Sequence, residues 1–109
     1  MKLSIVYTSL FEKEFKKLSS KHLSLKTDFK IFLTNLEENP VQGTPLGNNC
    51  YKVRLAISSK GKGKSGGARV ITCVKIVDTR IYLVAIYDKS EKEAISNKEL
   101  RERIKPFST

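Results

Sequence analysis

Between Phe11 and Leu36 the apolar residues recur at helical spacing, whereas from Cys50 onward they alternate or run together. This change of period, from 3.6 to 2, constrains a chain of 109 residues to helices first and strands after. Phe11, Phe15 and Leu18 fall at i, i+4 and i+7, which predicts one amphipathic helix. Ser9 and Glu12 supply a capping box at its start, and Ser19-Ser20 is expected to interrupt it. Leu25, Phe29, Phe32 and Leu36 predict a second helix from about His22 to Glu38, which Asn39-Pro40 closes.

Leu3 to Tyr7 reads as a short strand, and Val41 to Asn49, with Pro45, two glycines and two asparagines, as a loop. Tyr51, Val53, Leu55 and Ile57 alternate with Cys50, Lys52, Arg54 and Ala56, so Lys52 and Arg54 project from the face opposite the apolar set. Arg69 to Val77 and Arg80 to Tyr87 follow as strands joined by a two-residue connection, Asp78-Thr79. Ser58 to Gly67 is a basic loop. Ser96 opens a final helix from Asn97 to Lys105, stopped by Pro106. The expected fold is a single α+β domain over residues 1–109: an N-terminal strand and a helical hairpin packed on an antiparallel sheet of about four strands, with a short C-terminal helix. The helices should lie on one face of the sheet and the cations on the other.

The longest apolar run, Ile81 to Tyr87, is far shorter than the ~20 residues a membrane helix needs, so no membrane role is expected. The first ten residues lack the pattern of a secretory signal, and a cytoplasmic protein is expected. One histidine and two cysteines without zinc spacing argue against a metal site. Cys50 and Cys73 read as buried structural thiols.

Charge is distributed unevenly within the net +10. Residues 1–40 carry net +2 and residues 81–109 net +1, whereas residues 41–80 hold Lys52, Arg54, Lys60, Lys62, Lys64, Arg69, Lys75 and Arg80 against Asp78 alone. Such concentration points to a polyanion-binding surface. Gly61-Lys62-Gly63-Lys64-Ser65 is not a phosphate loop of the nucleotide-binding type. The glycine required five residues before its Gly-Lys-Ser is replaced by Ser58, and the loop joins two strands. As a cationic loop it suits nucleic-acid phosphates, giving Lys60, Lys62 and Lys64 as candidate RNA contacts, with Lys75 and Lys92 outside the loop as further ones. His22 reads as a surface or helix-start residue, and no nucleophile–histidine arrangement is present. What remains is a sheet face bearing Lys52, Arg54 and Arg69, with Lys89 just past the last strand.

The order Cys50-Tyr51-Lys52-Val53-Arg54-Leu55, a Gly-rich loop with Gly66-Gly67, Arg69-Val70-Ile71, a hairpin and Tyr87-Asp88-Lys89-Ser90-Glu91-Lys92-Glu93 resembles bacterial toxins of the RelE/ParE superfamily, and within it the HigB/RelE-like branch. The resemblance implies a type II toxin that cuts messenger RNA on the ribosome, without metal or other cofactor, and that is restrained by a helix-turn-helix antitoxin. Its partners would be that antitoxin, the messenger and the ribosomal RNA. In such chemistry a ribose 2′-hydroxyl attacks the adjacent phosphate, and clustered cations stabilise the charge that develops. By position, Lys52 matches the proposed base, Arg54 a phosphate-binding cation and Arg69 the arginine that stabilises the transition state. The chain departs from the family pattern at Lys89-Ser90, and near Ser96, where the RelE branch has a tyrosine. Tyr87, Lys89 and Lys92 therefore all stand as candidates for protonating the leaving group. Two alternatives are a ParE-like inhibitor of DNA gyrase and an RNA-binding module that cuts nothing.

Overall fold

A computed structural model describes residues 3–61, 63, 66–92 and 94–107. In chain order the elements are β1 (Ser4–Tyr7), α1 (Ser9–Lys21), α2 (Leu25–Glu38), β2 (Thr44–Gly47), β3 (Cys50–Leu55), β4 (Ala68–Lys75), β5 (Arg80–Asp88) and α3 (Asn97–Ile104). Short 3-10 turns follow β3 and α3, at Ser58–Lys60 and Lys105–Phe107. The architecture is the expected α+β one, with five strands ordered β1-β5-β4-β3-β2. β1 is the exception to antiparallel pairing, running parallel to β5 with Ser4 opposite Arg80. Among the described residues no helix is long and apolar enough to cross a membrane.

Several local expectations shift. The α1 cap is Thr8 rather than Ser9: the Thr8 Oγ1 accepts from the Phe11 amide and donates to the Leu83 carbonyl. Ser19 and Ser20 do not interrupt α1, because their hydroxyls donate back to the Lys16 and Lys17 carbonyls within the helix. α2 begins at Leu25, three residues later than expected. The stretch read as a loop contains β2, paired to β3 through a turn whose Asn48 and Asn49 both have positive φ. Asparagine tolerates that conformation, and two such residues in succession match a tight hairpin. The β4–β5 connection spans Ile76 to Thr79 rather than Asp78-Thr79, closed by the Thr79 amide donating to the Ile76 carbonyl.

The sheet separates two cores. On one face Val53, Leu55, Val70, Ile81, Leu83 and Ile86 pack against Phe11, Leu18, Leu25, Phe29, Phe32 and Leu36 of the helical hairpin. On the other, Ile71, Tyr82, Val84, Ala85 and Tyr87 pack against Leu100 and Ile104 of α3. The expectation that all helices share one face is therefore corrected: α3 lies on the face that carries the cations. Cys50 and Cys73 lie on this face as direct cross-strand partners with Cα atoms 4.1 Å apart. They are buried as expected but form a disulfide rather than two thiols. The Val74 amide donates to the Asn49 carbonyl, marking this as a non-hydrogen-bonded pair, the register at which side chains approach most closely.

A bulge makes the two-faced sheet possible. Ile71 pairs with Ala85 and Thr72 with Leu83, so Val84 is an extra residue in β5. Val84 and Ala85 both face α3, and the alternation resumes with shifted phase. β1 ends at Tyr7, opposite Leu83, and beyond it the outer edge of β5 has no strand beside it among the described residues. Glu14 of α1 and Arg103 of α3 cover that edge. Arg103 donates to the Val84 carbonyl at 3.0 Å, and Glu14 accepts from the Ile86 amide at 3.3 Å. The two side chains also form a bidentate pair at 2.8 and 2.7 Å. A double-mutant cycle of Glu14→Gln and Arg103→Gln, read by urea unfolding, is expected to give a coupling of about 1–3 kcal/mol. Additive single effects would show that the pair does not act as a unit.

Candidate nucleic-acid interface

Antiparallel register aligns the expected site residues. Arg54 of β3 is directly opposite Arg69 of β4, and Arg69 is directly opposite Tyr87 of β5, so the three form one row across the sheet. Arg54 and Arg69 share the parity of the Cys50–Cys73 pair, which places their Cα atoms about 4.5 Å apart. Lys52 is two residues along β3 on the same face, opposite Ile71. Two arginines directly opposite each other on neighbouring strands repel. An anion held between them relieves that repulsion.

Exposure differs sharply within the row. Arg54 is exposed and Lys52 half-buried, while Arg69 is only 4% accessible and donates to the Ala68 carbonyl at 3.0 Å. Tyr87 is buried with no well-formed hydrogen bond to its hydroxyl among the described residues; the Ile95 backbone is a polar neighbour. Burial pushes its phenol pKa upward, the Arg69 guanidinium opposes that, and Glu99 adds to it. Tyr87 consequently keeps its proton at neutral pH. The Lys92 ammonium lies 5.7 Å from the Tyr87 ring centre and donates to Glu99 of α3 at 2.8 Å.

The structure separates the other candidate cations. Lys89 is exposed beside the row, its amide donating to the Gly67 carbonyl. Gly67 itself runs so close to β3 that any Cβ would collide with the Leu55 carbonyl oxygen, which explains a glycine at the start of β4. Lys75 is six residues along β4 from Arg69, about 20 Å away, and donates to the Phe107 carbonyl. Lys62 and Lys64 lie outside the described residues.

Lys60 is engaged within the fold. Its side chain is 13% exposed, and its ammonium donates to Asp88 at 2.8 Å. Asp88 also accepts from the Ser90 amide and hydroxyl, and the Nε2 of His22 is 3.1 Å from its other oxygen. This carboxylate ties the basic loop to the end of β5 and to the C-terminus of α1. Asp28 performs a similar task, accepting from Ser24 and from the amide and hydroxyl of Ser58. Neither aspartate's bridging role, nor that of His22, is visible in the sequence, because Lys60 and His22 lie 28 and 66 residues from Asp88 and Ser58 lies 30 from Asp28. Among the described residues no group of three or more His, Cys, Asp and Glu is placed to hold a metal ion.

Comparison with known proteins gives the family described as the RelE toxin of the RelE / RelB toxin-antitoxin system, whose sequence model matches residues 5–106. Among solved structures, an arginine-substituted mutant of E. coli RelE in the free state is similar at a TM-score of 0.65 and 19% identity, covering 98% of this chain and 99% of that one. The toxin in the intact E. coli RelBE complex matches at 0.60 and 19%, covering 79% and 95%. A chain of the Mycobacterium tuberculosis RelBE2 complex matches at 0.58 and 13%, covering 81% and 92%.

The Asp88 node makes a pH prediction. Burial alone would raise its pKa, but the Lys60 ammonium and the Ser90 donors overcome this and hold the carboxyl well below its ordinary range. Its contribution is present above the unfolded carboxyl pKa near 4 and is lost as pH falls towards the lower folded value. Asp88→Asn is expected to cost about 3 kcal/mol at pH 7, since it leaves Lys60 unpaired. In urea titrations from pH 7 to pH 3 the variant should lose less stability than the wild type. Parallel pH profiles would refute the assignment.

Proposed function

Because this chain belongs to the RelE toxin family, we propose that it is the toxin of a type II toxin–antitoxin pair, acting in the cytoplasm as a ribosome-dependent endoribonuclease that cleaves messenger RNA and so stops translation. The observation that carries this reading is the row Arg54–Arg69–Tyr87 with Lys52 beside it, which gathers anion-binding groups and a proton donor on one sheet face.

The reaction needs three services. A base takes the proton of the ribose 2′-hydroxyl as its oxygen attacks the adjacent phosphorus. Cations stabilise the pentacoordinate phosphorane, and an acid protonates the departing 5′-oxygen. In the proposed assignment Lys52 is the base and Arg54 binds the phosphate. Arg69, held by its own backbone contact, supplies the fixed guanidinium whose planar fork matches a phosphoryl group. Tyr87 is favoured over Lys89 and Lys92 as the acid because it lies directly opposite Arg69 in the row, whereas Lys89 lies outside the row and Lys92 is bound to Glu99. The expected partners are a cognate helix-turn-helix antitoxin, the ribosome with its RNA, and the messenger. Support for the antitoxin comes from the family and from the RelBE complexes whose toxin chains share this fold.

The test is a map of cellular RNA 5′ ends minutes after induction. Wild-type protein should create new ends inside translated frames, absent when translation is blocked. Arg69→Ala should lower their yield at least about 100-fold. Arg69→Lys, which keeps the charge but loses the fork, should also be impaired while retaining the wild-type circular dichroism spectrum. Unchanged RNA ends during growth arrest would defeat the nuclease reading.

A further inference from the structure

α3 divides its charges between two sides. Glu99 and Arg103 face β5 and α1, where they are paired with Lys92 and Glu14. Lys98, Arg101 and Lys105, at i, i+3 and i+7, are exposed and form no ion pair among the described residues. They line a cleft of about 450 Å³ whose opposite wall includes Asn48 of the β2–β3 turn; Glu102 and Ile104 complete its lining. A second cavity of about 300 Å³ shares Asn48 and Ile104 with it and extends to Lys75 and Phe107. Together they form one groove between α3 and the β2–β3 turn.

The course of the groove follows from the placement of α3. Near the start of the helix Glu99 binds Lys92, which lies over Tyr87. Beyond its end Phe107 stacks on Tyr82 with ring centres 4.0 Å apart. The helix therefore runs along β5 away from the Arg54–Arg69–Tyr87 row. The groove lies at the Cys50–Cys73 end of the sheet, and Lys98, next to Glu99 at the start of α3, is its lining cation nearest that row.

We propose that this groove binds the single-stranded RNA flanking the phosphate held at the Arg54–Arg69 row. The inference rests on the nuclease reading for the direction of the strand, but its cations stand independently. Three unpaired cations over about 10 Å of helix suit a ligand charged at every repeat. Among the described residues that line the wider cleft Ile104 is the sole apolar one, which suits a nucleic-acid backbone better than a protein segment that needs an apolar anchor. Glu102 is the one opposing charge among the described residues there.

The experiment titrates a twelve-nucleotide oligouridylate onto the full chain by fluorescence anisotropy between 50 and 200 mM KCl. The triple variant K98Q/R101Q/K105Q should bind at least 10-fold more weakly at 50 mM. Its log-affinity slope against log salt should be shallower by about 2, so that the wild type loses about 15-fold more affinity across the range. Glu102→Gln should bind more tightly than wild type. Unchanged melting temperatures would show that these exposed positions leave the fold intact. A wild-type slope in the triple variant would overturn the proposal. So would tighter wild-type binding of a twelve-residue glutamate peptide that disappears in the triple variant, which would assign the groove to an acidic protein. Salt-dependent RNA binding through these cations without new cellular RNA ends would refute the nuclease reading and leave the groove standing.

Discussion

The extra residue at Val84 governs how the rest of this molecule is arranged. A strand covered on both faces must send alternate side chains to two different cores. The bulge resets that alternation, so Ile81, Leu83 and Ile86 serve the helical hairpin while Tyr82, Val84, Ala85 and Tyr87 serve α3. It sits just beyond the last β1–β5 pair, where the outer edge of β5 carries backbone groups that need partners. Glu14 and Arg103 supply them from helices on opposite faces. One irregularity thereby fixes α1, α3 and the Tyr87 end of β5 relative to one another.

The basic character of the chain resolves into two populations once the contacts are known. Lys60, Lys92 and Arg103 hold the structure, each bound to a carboxylate. Lys52, Arg54 and Lys89, on or beside the sheet face, form no ion pair among the described residues, and neither do the outer cations of α3. Net charge alone cannot make this distinction, since a lysine counts equally whether it braces a loop or awaits a phosphate. The carboxylates make it: Asp88, Glu99 and Glu14 are spent internally, which leaves the site face positive.

Periodicity made α1, α2, β3, β5 and α3 legible in the sequence because each has a strong apolar repeat, an apolar run or a cap. It also placed Lys52 and Arg54 on a common face correctly. The row joining Arg54, Arg69 and Tyr87 was not legible, because register depends on how the loop after β3 and the turn after β4 close. The bulge was hidden inside an unbroken apolar run, where a change of phase leaves no trace. β2 was hidden by its brevity and by Pro45, which sits in an edge strand where a missing donor is tolerated. Strand reading had already put Arg69 on a sheet face with Lys52 and Arg54; family resemblance contributed what spacing could not, the roles proposed for them.

The pairing of β1 with β5 has a consequence for synthesis. The first strand of the chain is held by one of the last: Ser4 meets Arg80, Thr8 meets Leu83 and Glu14 meets Arg103. Vectorial translation releases β1 and the helical hairpin before the sheet that must cover their apolar faces exists. Closing contacts of such long sequence separation also slows folding relative to a chain built from local ones. Completion of the Arg54–Arg69–Tyr87 row therefore waits for β5, the element that also holds β1 in place. A nascent chain whose β5 has not yet emerged has neither the row nor the partner of its own first described strand.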